Sequence, residues 1–431
     1  MGSIALNTIN RVAVIGLGYI GLPTAAILAT NGVEVIGVDV NQRTVDAVNA
    51  GQVPFVEPDL GVHVAGAVSQ GNLSASTSTP QAQAYIVAVP TPFREDRSAD
   101  LSYIESAARG IAPQLQGGEL LILESTSPPG ATEHMANYIL NLRPDLSLDG
   151  ADSKPAILVA HCPERVLPGR VMIELVTNDR IVGGMTAEAA ETAKHLYAVF
   201  CQGEILTTDA VTAEMAKLVE NSYRDVNIAF ANELSVISDK LGIDVWELIR
   251  LANHHPRVNI LQPGPGVGGH CIAVDPWFIV AAAPEESRLI RTAREVNDAK
   301  PEWVFQQVVA SLESLPGTAE VSVLGLAFKA NIDDLRESPA IEIAAHLAEA
   351  LSDRRINVAE PHVEELPKQL AGRTNVELVS IEESVKRSDV VVVLVDHDDV
   401  KAISPELLAG KIVIDTRGAL TLEPTPAAAA V

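Results

Sequence analysis

The sequence predicts an α/β protein with two Rossmann-like doubly wound domains, joined by a long central helix and a small helical domain. Three observations carry this. Short β-branched runs alternate with helical patterns up to about residue 205 and again from about residue 318, the rhythm of parallel sheets covered on both faces. A glycine-rich turn, Gly16-Leu17-Gly18-Tyr19-Ile20-Gly21, separates the first strand from the first helix. Between the two α/β halves, Thr212 to Leu241 contains neither Gly nor Pro, and its apolar residues recur at helical spacing.

Taken in order, Arg11 to Gly16 reads as a strand, with a helical stretch from the glycine turn to Ala29. Val33 to Val38 forms a second strand, ending on Asp39. Further strands are expected at Ala84 to Val89, Leu120 to Leu123, Ala156 to Val159 and Asp179 to Val182. Met215, Leu218, Val219, Ile228, Phe230, Leu234, Ile237 and Leu241 give the long helix more apolar surface than one small domain can bury. The surplus predicts a subunit contact, a homodimer through the central helices. Gly242 ends this helix, and Val245 to Ala252 starts a shorter one. Leu261 to Pro276 is too rich in Gly and Pro for regular structure, and helix resumes from Glu285 to Leu315. The second α/β half then shows Val321 to Gly325, Ala340 to Leu351, Ile356 to Ala359, Val390 to Val395 and Lys411 to Asp415. The expected domains are residues 1–205, 206–315 and 316–423, with a Pro/Ala-rich disordered tail at 424–431.

Composition narrows the function. With 31 Lys+Arg against 56 Asp+Glu, the formal net charge of −25 argues against a general nucleic-acid or anionic-membrane binder. No run approaches the ~18 apolar residues of a membrane span, and Met1 to Arg11 has no secretory signal pattern. A soluble, cytoplasmic protein is expected. The three cysteines are unevenly spaced, with no disulfide framework or zinc spacing, so no metal is expected.

Gly16, Gly18 and Gly21 serve a tight turn, close approach to a pyrophosphate, and helix–strand packing. The pyrophosphate would sit on the helix N-terminus, where N–H groups and the dipole favour an anion. Asp39 would accept from ribose hydroxyls and repel a 2′-phosphate, which selects NAD over NADP, with Arg43 close by in sequence. Thr91 (in Val89-Pro90-Thr91-Pro92), Ser125 and Thr126 follow later strands, beyond whose carboxyl ends ligands lie in such sheets. Capping of the turn explains Ser125 equally well. Cys162 and Cys201 adjoin ordinary apolar segments and read as inert. Cys271 differs: it ends Pro263-Gly264-Pro265-Gly266-Val267-Gly268-Gly269-His270, and Asp275 follows four residues later. Bare backbone at such a loop can approach a small group and offer N–H donors to an oxyanion, and a thiol there can act as a nucleophile. Lys217, Asn221 and Arg224 fall at i, i+4 and i+7 of the long helix. Glu164 and Arg165 add an acid/base and an anion contact. His254, His255 and Arg257 precede the glycine loop. Phe328, Lys329, Arg336 and Arg417 lie at strand ends of the second α/β half, which lacks GxGxxG.

These motifs together resemble the UDP-glucose/GDP-mannose dehydrogenase family over essentially the whole chain. The signatures appear in order: the glycine fingerprint, Val-Pro-Thr-Pro, Glu-Ser-Thr with Pro-Gly, Pro-Glu-Arg, the Lys217/Asn221 helix, Gly-Gly-His-Cys with Asp275, and Phe-Lys with Arg-Glu-Ser-Pro. In members acting on UDP-glucose or GDP-mannose a second Glu usually follows the first by four residues; here Pro168 stands in that place. This departure resembles the branch acting on UDP-N-acetylhexosamines, and Leu248 to Asp275 is similar to its mannosamine members.

The resemblance implies a four-electron oxidation of UDP-N-acetyl-D-mannosamine to the uronate with two NAD+. Lys217, or a water held by it and Asp275, would take the O6 proton. Cys271 would capture the aldehyde as a thiohemiacetal and then carry the thioester. Glu164, with Thr126, Asn221 and Asp275 holding water, would assist hydrolysis. The resemblance further implies that Tyr19, Ile20, Thr91, Thr126 and Arg336 contact NAD. Arg165, Val166, Lys217, Asn221, Arg224, His255, Arg257, Gly268, Phe328, Lys329 and Arg417 would contact the UDP-sugar. Two anionic ligands then require a locally positive cleft in an acidic protein. A UDP-N-acetylglucosamine 6-dehydrogenase differs only at C2. A two-electron hydroxy-acid dehydrogenase would have no use for a glycine-framed Cys, and a nucleotide sensor would form no NADH.

Overall fold

The computed structural model describes residues 9–94, 96–167, 169–269 and 272–420. Pro168, His270, Cys271 and the 424–431 tail lie outside the described residues. The chain divides into two compact units, residues 1–220 with 277–284, and residues 221–276 with 285–431.

The first unit is built on an eight-stranded sheet of β1 (Arg11–Ile15), β2 (Glu34–Val38), β3 (Leu73–Ser76), β4 (Ala84–Val87), β5 (Leu120–Leu123), β6 (Leu158–His161), β7 (Arg180–Gly184) and β8 (Ile205–Asp209). Its order is β3-β2-β1-β4-β5-β6-β7-β8, so the doubly wound 3-2-1-4-5-6 arrangement is present. Alternate residues feed opposite faces. Val12, Val14, Leu120 and Ile122 join one buried cluster, while Ala13, Ile15, Leu121 and Leu123 join the other.

Two features depart from expectation. β7 runs antiparallel to β6, pairing Ala160 with Gly184 and His161 with Gly183. An apolar run reports burial and carries no strand direction, so the reversal had no signal. β3 and β8 were not anticipated, and both are edge strands with largely part-exposed residues. Edge strands lack the continuous apolar run that marks a central one.

In the second unit, β9 (Val321–Leu324), β10 (Ile356–Ala359), β11 (Val376–Leu378), β12 (Val390–Val393) and β13 (Ile412–Asp415) form a parallel sheet in the order β11-β10-β9-β12-β13. β11, also unanticipated, is again an edge strand. Val321, Val323, Val390 and Val392 pack on one face, with Leu324, Val391 and Val393 on the other.

The long helix spans Ala210–Leu241, 32 residues or ~48 Å at 1.5 Å per residue, and the boundary between the units falls inside it. It begins two residues before the predicted start because Asp209 accepts the Thr212 N–H at 2.9 Å. Gly242, at φ +68°, terminates it. Val219, Tyr223, Phe230, Ile237 and Leu241 remain exposed, and at 100° per residue they share one narrow stripe. Asp244 caps the Val245–Ala252 helix by accepting from Trp246 and Glu247 N–H. The glycine loop is irregular as expected, but a helix, Asp275–Ala282, already starts at Asp275. Ser338 and Pro339 open the Pro339–Ala350 helix as N-cap and first residue. Among the described residues, no helix is long and apolar enough to cross a membrane.

Candidate active site

At the carboxyl edge of the first sheet the glycine turn has the expected geometry. Gly16 sits at φ +95°, and a Cβ there would lie 2.4 Å from the Ala88 carbonyl oxygen. A Cβ on Gly21 would lie 1.9 Å from the Gly16 carbonyl oxygen, so neither position admits a side chain. Gly18 faces open space, the bare approach that a pyrophosphate needs. Ile20 occupies the N-cap of the Gly21–Thr30 helix. Asp39, one residue beyond β2, accepts from Leu17 N–H at 3.0 Å and Asn41 N–H at 2.8 Å. Thr91 Oγ1 is buried without a hydrogen-bond partner among the described residues. A buried hydroxyl in that state has its hydrogen-bonding capacity open to a bound polar group or water. This donor set fits NAD.

Other predicted cofactor residues are placed differently. Tyr19 donates its hydroxyl to Glu57 Oε2 at 2.5 Å and stacks near Phe55, so its side chain serves the protein. Arg43 is exposed on the Gln42–Asn49 helix. Ser125 donates to the Val89 carbonyl at 2.7 Å, the turn-capping role, while Thr126 is half-buried beside it.

Behind Glu164 lies a buried ionic cluster. Its Oε2 accepts from Arg180 Nη2 at 3.1 Å and its Oε1 from Arg165 N–H at 2.6 Å. Arg180 lies over the rings of Tyr197 and Phe200. Tyr197 in turn donates to Glu124 at 3.1 Å. Burial, and then the charge of Glu164, push the Glu124 pKa up to about 8. Burial also raises the Cys162 thiol to about 12, which fits the inert packing expected of it. The sequence offered Glu164 as an acid/base, and the structure adds a buried ionic partner, Arg180. Arg165, expected to contact an anion, forms a two-pronged pair with Glu220, Nη2 to Oε1 at 2.7 Å and Nε to Oε2 at 3.1 Å. Val166 and Lys217 are half-buried.

In the second unit, Asn221 donates its amide to Asp275 Oδ2 at 2.5 Å, joining two predicted catalytic residues. Arg224, His255 and Arg257 are exposed. The glycines of the 263–269 loop were expected to approach a ligand or oxyanion, yet they press on protein. A Cβ on Gly268 would lie 2.6 Å from the Glu337 carbonyl oxygen and 3.0 Å from Phe328 Cβ. On Gly264 it would lie 2.6 Å from an Arg417 guanidinium nitrogen, and on Gly269 3.3 Å from the Phe328 ring. Glycine is required at 268, by the Glu337 backbone, and at 269, by its φ of +83°, for reasons that sequence cannot reveal.

Arg417 pairs with Asp396 through Nε at 3.0 Å and Nη2 at 2.9 Å. Its turn is fixed because Asp415 accepts the N–H groups of Arg417 and Leu420. Lys329 is exposed, and Arg336 forks onto Asp334 on the surface. Two cations expected to meet a ligand, Arg417 and Arg336, are thus paired with carboxylates within the second unit.

A second buried network escaped the sequence reading. Arg294 pairs with Asp225 at 2.6 Å, Asn297 donates to Asp225 at 2.8 Å, and Asn232 donates to Asn297 at 2.8 Å. Asn232 also accepts the Gly264 N–H at 2.9 Å, anchoring the glycine loop. The available signal was polar residues recurring on the helix face that ought to be apolar.

Residues 10–201 match the NAD binding domain of the UDP-glucose/GDP-mannose dehydrogenase family, residues 211–299 its central domain, and residues 322–422 its UDP binding domain. The chain is 57% identical over 410 residues to an NDP-N-acetyl-D-galactosaminuronic acid dehydrogenase of Ralstonia nicotianae, covering 95% of this chain and 96% of that protein. It is 54% identical over 415 residues to the UDP-N-acetyl-D-mannosamine dehydrogenase of Escherichia coli, covering 94% and 98% respectively. Among solved structures, a UDP-D-ManNAc dehydrogenase from Pyrococcus horikoshii superposes with a TM-score of 0.84 at 38% identity, covering 96% of this chain and 97% of that one. The UDP-N-acetyl-mannosamine dehydrogenase of Staphylococcus aureus gives 0.80 at 41% identity, covering 96% of each chain.

Proposed function

The chain belongs to the UDP-glucose/GDP-mannose dehydrogenase family and is an NAD-dependent dehydrogenase of nucleotide sugars; from that premise we propose that it oxidises UDP-N-acetyl-D-mannosamine at C6 to the uronate. Two NAD+ molecules, bound in succession, would each supply a hydride acceptor, the first for the alcohol and the second for the aldehyde level. Gly16, Gly18, Gly21, Asp39 and Thr91 would hold each in turn.

The protein's own groups divide the remaining work. Lys217, or a water held by it and Asp275, takes the O6 proton. Cys271 then attacks the aldehyde carbon, which keeps a reactive intermediate attached between the two oxidations. Asn221 donates to the oxygen that becomes negative, and Asp275 fixes the Asn221 amide through their hydrogen bond. Glu164, kept in place by Arg180, assists attack of water on the thioester, with Thr126 orienting that water. The packing of the glycine loop on Phe328 and Arg417 carries this reading. The loop that leads to Cys271 is held against two residues of the segment matched as the UDP binding domain.

The same proposal assigns residues 1–205 to NAD, 206–315 to the central helices and 316–423 to UDP, in the cytoplasm. The exposed stripe of Val219, Tyr223, Phe230, Ile237 and Leu241 supports a homodimer on the long helix, since such a surface is normally covered. A second reading, the galactosamine-configured substrate, is favoured by the Ralstonia relative. Parallel assays with UDP-ManNAc, UDP-GlcNAc, UDP-GalNAc, UDP-glucose and GDP-mannose decide between them. UDP-ManNAc should give the highest kcat/KM and two NADH per uronate; a preference for another sugar, or one NADH per product, overturns the assignment.

A further inference from the structure

The second sheet repeats the nucleotide-binding end of the first with one chemical change. Gly325, one residue past β9, has φ +91° and abuts Val395, as Gly16 past β1 has φ +95° and abuts Ala88. Glu360 stands one residue past β10, as Asp39 stands past β2. Asp39 accepts from Leu17 N–H, and Glu360 Oε2 accepts from the equivalent Leu326 N–H at 2.7 Å and from Ala327 N–H at 3.0 Å. Four residues past β4 the hydroxyl of Thr91 has no partner among the described residues. Four residues past β12 stands His397, fully buried, with both ring nitrogens engaged.

His397 Nε2 lies 3.0 Å from Glu360 Oε2, and Asn331 N–H points at Nδ1 from 3.0 Å. A backbone N–H can only donate, so Nδ1 carries the lone pair and Nε2 carries the proton given to Glu360. That tautomer also disposes of a metal site. Glu360, His362 and His397 bring ligand atoms within 4.8 Å of one another, but Nε2–H has no lone pair to offer a cation. Asn331 is held in the left-handed region at φ +61°, and its Oδ1 accepts the Asp398 N–H at 3.0 Å.

We propose that Glu360 and His397 are positioning residues for the sugar nucleotide: together they clamp both ends of the turn that presents Phe328 and Lys329. Glu360 grips the turn at Leu326 and Ala327, and His397 grips it at Asn331. Both acids hold the turn beside them, but Glu360 is also bound to the side chain of His397, a partner Asp39 lacks among the described residues. The inference rests on Phe328 and Lys329 contacting UDP.

The test uses the full-length protein, with UDP and NAD+ binding measured separately by calorimetry alongside steady-state kinetics. Losing the two hydrogen bonds of His397 should weaken UDP binding about tenfold in His397→Ala. KM for the sugar nucleotide should rise with it, while NAD+ affinity and kcat stay unchanged. His397→Gln, whose amide can accept from Asn331 and donate to Glu360, should recover most of the loss. Wild-type UDP affinity in a folded His397→Ala, when Lys329→Ala has lost it, overturns the clamp and leaves the UDP reading standing. Equal losses of UDP and NAD+ affinity with a lower melting temperature and no recovery in the Gln variant also overturn it. Wild-type UDP affinity in both Phe328→Ala and Lys329→Ala removes the reading on which the clamp rests.

Discussion

Glu124 gives the protein a stability that should fall with rising pH. Its side chain is 1% exposed and accepts from Tyr197 at 3.1 Å and from Thr24 at 3.2 Å. Burial, reinforced by the Glu164 charge, raises its pKa from 4.5 to about 8. Below the unfolded value both folded and unfolded chains hold the proton, and above about 8 neither does. Between those limits only the folded state holds it, so unfolding releases a proton and stability declines as pH rises. At about 1.36 kcal/mol for each tenfold change in proton affinity, the full span is worth roughly 4–5 kcal/mol. Glu124→Gln keeps the shape and the acceptor oxygen but cannot ionise. In urea unfolding at pH 5, 7 and 9, variant and wild type should nearly coincide at the acidic end. By the alkaline end the variant should be ahead by on the order of 4 kcal/mol. Parallel profiles, or a variant that falls behind as pH rises, would show that the buried carboxyl is not the cause.

Other substitutions address the site and the assembly. Cys271→Ser should abolish uronate formation while UDP and NAD+ still bind by calorimetry; acid production near the wild-type rate ends the covalent mechanism. Lys217→Ala should slow the first burst of NADH in stopped flow, and an unchanged burst would exclude it from the first proton transfer. Gly21→Ala forces a methyl to 1.9 Å from the Gly16 carbonyl oxygen, so NAD+ binding should collapse before UDP binding does. Tyr223→Glu places a charge in the exposed stripe of the long helix and should lower the mass by light scattering to that of one chain. An unaltered mass would move the dimer contact elsewhere.

Much of this was legible in the chain because it was written in local pattern. Burial of both sheet faces produces continuous apolar runs, which exposed the central strands. A turn that tolerates no Cβ must be glycine, which exposed Gly16 and Gly21. Three of the four edge strands, β3, β8 and β11, carried no such run, whereas the fourth, β13, did. The antiparallel turn of β7 could not be read, because an apolar run has the same appearance in either direction.

The sequence alone determined the α/β class, the dinucleotide turn with its acidic Asp39, the long helix and the isolation of Cys271 in a glycine loop. Only the tertiary structure decided what the charges do. Arg165 is held by Glu220, Arg417 by Asp396, Glu164 by Arg180, and Glu360 by His397. Each pair is separated by between 16 and 55 residues, and the periodicity of neither segment encodes its partner. The loop glycines make the same point. Their spacing announced a close approach, but that the approach is to Phe328 and Arg417 depended on which surfaces folding brought together. Local pattern follows from the geometry of one helix or strand, whereas ion pairing and close packing are settled by atoms from distant segments competing for the same space.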